Sequence, residues 1–180
     1  MKLSILTTAV CLTISAQAAW AFDLSSTDIK SGGRLSAQQV ANVFGCSGGN
    51  LSPQLTWKNV PKGTKSFAVT VYDPDAPTGS GWWHWLVWNI PVEVNTLPAG
   101  IGQGGALPEG AVAGRTDGGM PGFMGACPPK GDKAHRYIVK VHALKVDKLE
   151  LPADPMPALV GFMLNANSLG TATLTAKYGR

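Results

Sequence analysis

The sequence predicts a mainly β fold with a minor helical share, and three observations carry that expectation. Several segments alternate apolar and polar residues with period two, as half-buried antiparallel strands do. The chain holds 22 Gly and 13 Pro, which excludes a long helical bundle because both residues interrupt helices. Only two short stretches read as helices.

The first 21 residues stand outside this pattern. Met1-Lys2 gives a short basic start, and Leu3 to Ile14 is an apolar run broken only by Ser and Thr. Ala16-x-Ala18 and Ala19-x-Ala21 both fit a small-x-small cleavage rule. Residues 1–21 therefore read as a secretory signal cut after Ala18 or Ala21, with 22–180 as one domain that is periplasmic or secreted. The apolar run is shorter than the ~20 residues that a membrane span needs. Removing it takes Lys2 and no acid, lowering the formal charge by one from +4. It also takes Cys11, which leaves Cys46 and Cys127. An even pair in an exported chain reads as a disulfide, the alternative being two buried free thiols. Such a bridge closes a loop of about 80 residues and is worth up to ~4 kcal/mol on a chain-entropy argument.

Along the remaining chain, Ser36 offers an N-cap to a short helix through Ala41. Ser66 to Tyr72 places Phe67, Val69 and Val71 on one face, while Trp85 to Ile90 is apolar nearly throughout, as a central strand covered on both faces would be. Pro91 ends that strand, since proline donates no ladder hydrogen bond. A Gly- and Pro-rich stretch from Gly100 to Gly131 has little periodicity, and loops of that length in a compact domain usually serve function. Arg136 to Leu144 alternates again. Pro157 to Ala166 begins with proline in the first turn and spaces its apolar residues as a helix does. Thr173 to Tyr178 reads as a closing strand.

Two clusters could carry chemistry. Asp73-Pro74-Asp75-Ala76-Pro77 follows one strand, and Trp82-Trp83-His84-Trp85 enters the next. The prolines make this connection stiff, so it could hold carboxylates and a histidine without an entropy cost at binding. Gly125-Ala126-Cys127-Pro128-Pro129-Lys130-Gly131 precedes His135-Arg136-Tyr137 at another strand start, so both clusters could meet on one rim. Taken singly, Asp73 and Asp75 also read as turn residues, and each histidine as a structural one. A two-His, one-carboxylate metal set lacks the usual tight spacing. No G-x-S-x-G nucleophile turn occurs, no phosphate loop has its lysine, and no cofactor is implied. The basic residues are too few to make a nucleic-acid stripe, and the six Trp are not interleaved with them.

These motifs carry a resemblance. Asn50-Leu51-Ser52-Pro53-Gln54-Leu55-Thr56-Trp57, Asp73-Pro74-Asp75-Ala76-Pro77, Trp83-His84-Trp85 and Cys127-Pro128-Pro129 with His135-Arg136-Tyr137 resemble the phosphatidylethanolamine-binding protein family. Within it they are most similar to the bacterial Raf-kinase-inhibitor-like YbhB/YbcL group, and the likeness runs from about Phe22 to Arg180. The resemblance implies an antiparallel β-sandwich with a C-terminal helix and one small anion-binding pocket at its rim. It assigns Asp73, Asp75, His84, Pro129, His135 and Tyr137 to that pocket, with Gly125 in the adjoining loop. Two histidines and a tyrosine hydroxyl can donate to an anion, whereas a carboxylate would repel it. Asp73 is therefore expected to hold a histidine donor rather than touch the ligand. Anion affinity is then expected to rise as pH falls through the histidine range.

The expected function is a non-enzymatic, exported module for a small anionic or phosphorylated ligand that modulates a protein partner. A protein-interaction or protease-inhibitor role through loops such as 100–125 is the alternative, and a phosphoester hydrolase is a weaker one. The family's kinase inhibition belongs to the cytosol and does not transfer to an exported chain. Homodimers are common in the family and are an expectation here as well.

Overall fold

The structure is a computed structural model that describes residues 21–180. Nearly all of the expected signal segment lies outside these residues. The strands are β1 (Asp23–Ser25), β2 (Leu55–Lys58), β3 (Ser66–Asp73), β4 (Trp82–Pro91), β5 (Thr96–Leu97), β6 (Val112–Ala113), β7 (His135–Leu144) and β8 (Ser168–Tyr178), with helix α1 (Pro157–Asn167) between the last two. Every pairing between them is antiparallel. Five strands form one sheet in the order β6-β4-β3-β7-β8, and β1-β2-β5 form a smaller one.

The alternating segments take their expected places. Phe67, Val69 and Val71 of β3 share a core with Val139 and Val141 of β7 and with Leu55, Trp57 and Leu97 of the small sheet. The opposite face of the large sheet buries Ala68, Leu86, Trp88 and Leu144 under Val160 and Leu164 of α1. β4 is therefore covered on both sides, as its unbroken apolar sequence requires. The helix starts at Pro157, where a missing amide donor costs nothing. It packs closely because Gly161 lies against Trp83, and a Cβ there would sit 2.9 Å from the indole. The stretch from Ser36 is a single 3-10 turn over Ala37–Gln39, with the Ser36 hydroxyl accepting the Gln38 amide hydrogen.

This topology brings three strand ends together. β3 finishes at Asp73 where β4 begins at Trp82, and β7 begins at His135 beside them. Both sequence clusters thus meet at one end of the five-stranded sheet.

Candidate functional site

A cavity of about 230 Å³ opens at this sheet end. Its floor carries Asp73, His84, His135 and Tyr137, and Trp82, Met124, Pro129 and Phe44 stand around it. The stiff segment Ala76-Pro77-Thr78 forms one wall.

His84 reaches the floor through a local irregularity. Val71 pairs with Trp85 and Tyr72 with Trp83, so His84 has no partner residue on β3. This extra residue is a β-bulge, which re-aims a side chain relative to simple alternation. Strict period two would send His84 to the face of Leu86 and Trp88. Instead its ring packs edge-on against Tyr137, at 5.2 Å between centroids. Met124 then locks the ring from the neighbouring loop. The Met124 amide donates to the His84 carbonyl at 2.8 Å, and His84 Nδ1–H donates to the Met124 carbonyl at 2.8 Å. A carbonyl only accepts, so the proton sits on Nδ1. Burial pushes the His84 pKa below its ordinary value, against weaker opposing pulls from the Met124 carbonyl and the Asp73 charge.

Asp73 is almost fully buried and uses both oxygens. Oδ1 accepts the Asp75 amide hydrogen at 2.8 Å, and Oδ2 accepts from His135 Nδ1 at 2.7 Å. The turn reading and the histidine-holding reading of Asp73 therefore hold together, one oxygen each. The other ring nitrogen of His135 lies 3.4 Å from Asp132 Oδ2, a carboxylate that the sequence reading did not include. Tyr137 is 2% exposed, and its hydroxyl has no hydrogen-bond partner among the described residues. Burial first, and then the Asp73 charge, holds its pKa far above the ordinary phenol value.

Two of the expected site residues are turned elsewhere. The Asp75 carboxylate takes a two-pronged contact from Arg136, at 2.8 Å from Nε and 2.7 Å from the second nitrogen, and also accepts the Arg136 amide hydrogen. Hydrogen bonding to Arg136 holds Asp75 well below the usual carboxylate range. Asp75 thus fastens the β3 exit to the start of β7 and is not among the cavity-lining residues. Gly125 also lies off the cavity. Its amide donates to Asn50 Oδ1 at 2.8 Å, and an added Cβ would stand 2.5 Å from the Ala41 nitrogen. Glycine is required there for close packing against residues 39–41.

The mouth is braced covalently. Cys46 and Cys127 are disulfide-bonded, tying the loop that carries Phe44 to the loop that carries Pro128 and Pro129. Arg180 spans the same two loops, donating to the Pro128 carbonyl at 2.7 Å and the Gly45 carbonyl at 2.9 Å. Phe44, Trp82, Met124 and Thr78 were not foreseen as lining residues. Trp82 adjoins His84 and Phe44 adjoins Cys46 in sequence, and these were the available signals. Among the described residues no Lys or Arg side chain lines the cavity. Among the described residues no three His, Cys, Asp or Glu side chains gather as a metal-ligand set.

An antiparallel sandwich, a C-terminal helix and a rim cavity built from two histidines, an aspartate and a buried tyrosine define a class of small β-rich binding proteins. The sequence profile named Phosphatidylethanolamine-binding protein matches residues 25–179, and the chain belongs to that family. It is similar to YbcL of Escherichia coli, with 58% identity over 181 residues covering 99% of this chain and 98% of YbcL. YbhB of the same organism is 49% identical over 156 residues, covering 86% of this chain and 98% of YbhB. The crystal structure of YbcL, described as a new member of the mammalian PEBP family, superposes with a TM-score of 0.86. That match covers 88% of this chain and 98% of YbcL.

Proposed function

We propose that the chain is an exported, non-enzymatic binding protein whose rim cavity takes a small anion or phosphoryl group and so modulates a protein partner. One observation carries the reading. Among the described residues the buried Tyr137 hydroxyl has no hydrogen-bond partner within 3.5 Å, and Tyr137 lines the cavity with His84 and His135. A buried hydroxyl left unpaired costs roughly 1–3 kcal/mol, and a ligand oxygen would recover that loss. Binding is favoured over turnover because the thiol, the threonine hydroxyl and the carboxylate of the lining are occupied. Cys127 is in the disulfide, the Thr78 hydroxyl donates to the Gly81 carbonyl at 2.6 Å, and Asp73 is held by His135 and the Asp75 amide.

Titration calorimetry with inorganic phosphate tests the reading. His135→Ala is expected to lower the affinity at least ~10-fold while thermal unfolding stays cooperative. Equal affinities for the variant and the parent would contradict it. A flat p-nitrophenyl phosphate trace with each divalent metal added is expected of a binder, and turnover would establish a hydrolase instead. Export is supported by the signal-like residues 1–21 and by the disulfide, which persists in oxidising compartments. Expression in a bacterium followed by osmotic shock should release a chain beginning at Ala19 or Phe22, read by mass spectrometry. Retention of the full 180 residues in the cytosol would overturn export.

A further inference from the structure

We propose that the cavity selects oxyanions that carry a hydroxyl hydrogen, taking hydrogen phosphate or a singly protonated phosphomonoester and rejecting sulfate and sulfate esters. This rests on the anion reading above and adds the chemistry by which the site would choose among anions. The determinant is His84. Its Nδ1–H is committed to the Met124 carbonyl at 2.8 Å, a bond that turning the ring over would break, while the Met124 amide donates to the His84 backbone carbonyl and holds the two segments together. Among the described residues His84 makes no other side-chain hydrogen bond within 3.5 Å, the Gly125 backbone acting on the ring more weakly than Met124, and the ring, with its second nitrogen Nε2, borders the cavity. In neutral imidazole this atom is an acceptor. The Tyr137 ring lies 5.2 Å from that of His84, and its hydroxyl has no hydrogen-bond partner within 3.5 Å among the described residues, with Asp73 the nearby carboxylate that acts on it. The lining therefore offers the Nε2 acceptor together with the Tyr137 hydroxyl as a donor, and the Trp82 indole N–H, also unpartnered among the described residues, adds a second donor. A bare oxyanion would set its own lone pairs against Nε2, whereas a P–O–H group donates to Nε2 while a second phosphoryl oxygen accepts from Tyr137.

The surrounding charges point the same way. Asp73 and Asp117 face His84 from β3 and from the loop after β6, and His135 and Tyr137 face it from β7. Asp117 also accepts the Trp83 amide hydrogen at 2.8 Å. Asp132 adds a further carboxylate at 3.4 Å from His135. With no Lys or Arg in the lining among the described residues, a dianion meets the Asp73 carboxylate, with Asp117 and Asp132 behind the histidines, and no permanent cation. Proton-bearing anions of lower charge suit such a site, because retaining the proton reduces repulsion and satisfies the acceptor. Phe44, Pro77 and Pro129 give the lining an apolar part against which an ester substituent would pack.

Calorimetry on the full mature chain at pH 5.5 and pH 7 with inorganic phosphate, sulfate, phenyl phosphate and phenyl sulfate tests the proposal. Phosphate should bind at least ~10-fold more tightly than sulfate at pH 7, the penalty expected for an unmatched buried polar group. At pH 5.5 phenyl phosphate, whose second pKa is near ~6, should exceed phenyl sulfate by a similar factor, although both are then mainly monoanions. Equal affinities within either pair overturn the selectivity while leaving an anion site in place. No binding by any of the four overturns the anion reading itself. Nitrogen-15 NMR of His84 gives an independent readout. A neutral ring protonated on Nδ1 at pH 7 is expected, and an Nε2–H tautomer or an imidazolium at that pH would contradict the proposal.

Discussion

His84 and His142 lie on opposite faces of the same five-stranded sheet and are equally buried, each 5% exposed. Burial lowers both pKa values, that of His142 to about 4. Their surroundings differ. His142 pairs across the sheet with Ala68, on the face that α1 covers, with Thr70 Oγ1 at 3.4 Å and Nδ1 without a partner. His84 is locked by Met124 and opens on a cavity shared with Asp73, His135 and Tyr137. Burial alone therefore does not mark a site. What marks it is the convergence of several polar groups on open volume, with each group's other bonds already satisfied by the protein.

The largest expected difference between the two faces concerns Asp73. It forms a buried pair with His135, both side chains being 3% exposed. Removing one member of such a pair typically costs ~3–5 kcal/mol. Asp73→Ala should therefore destabilise by roughly 4 kcal/mol in urea unfolding. A loss below about 1 kcal/mol, the level of a surface pair, would show that the pair is far weaker than its burial implies.

The helix-covered face predicts an acid effect. The His142 pKa falls from the ordinary 6.5 to about 4 in the folded state. Between those values the unfolded chain binds a proton that the folded chain does not, so stability is complete above pH ~6.5 and declines as pH falls toward 4. The loss is on the order of 3 kcal/mol, and His84 contributes in the same direction. His142→Gln should flatten this part of the stability profile when unfolding is followed at pH 7, 5.5 and 4.5. An unchanged slope would assign the acid sensitivity to the cavity face.

Tyr137→Phe separates function from stability. It removes an unpartnered buried hydroxyl, so the fold should be stabilised by about 1 kcal/mol while phosphate affinity drops about tenfold. Loss of stability in the variant would mean that the hydroxyl has a protein partner after all. The smallest effect is expected at Asp75, whose carboxylate serves Arg136 rather than the cavity. Asp75→Asn should leave phosphate affinity within about twofold of the parent, and a larger drop would return this residue to the ligand's surroundings.

The large sheet and its helix were legible because their segments are long enough to show a period. The small sheet was not. Its strands β1, β2 and β5 span two to four residues, too few to alternate visibly, and only the family resemblance implied a second layer. The cavity-lining histidines and Tyr137 were legible as motif residues at strand starts. The orientation of His84 was not, since it depends on a bulge that shifts register between Val71 and Tyr72. Asp75 and Gly125 share sequence motifs with lining residues but fasten strand to strand and loop to loop, and nothing in sequence spacing separates those jobs. Phe44 and Met124 reach the cavity from distant loops, brought there by the disulfide and by the Met124–His84 bonds.

The most direct test of the cavity as an anion site is a crystal structure grown with arsenate, a hydrogen-bearing tetrahedral oxyanion with a strong anomalous signal. A single arsenic peak is expected on the cavity floor, with one oxygen within hydrogen-bond distance of Tyr137 Oη and another within reach of His84 Nε2. An empty floor with arsenate bound elsewhere on the surface would contradict the account.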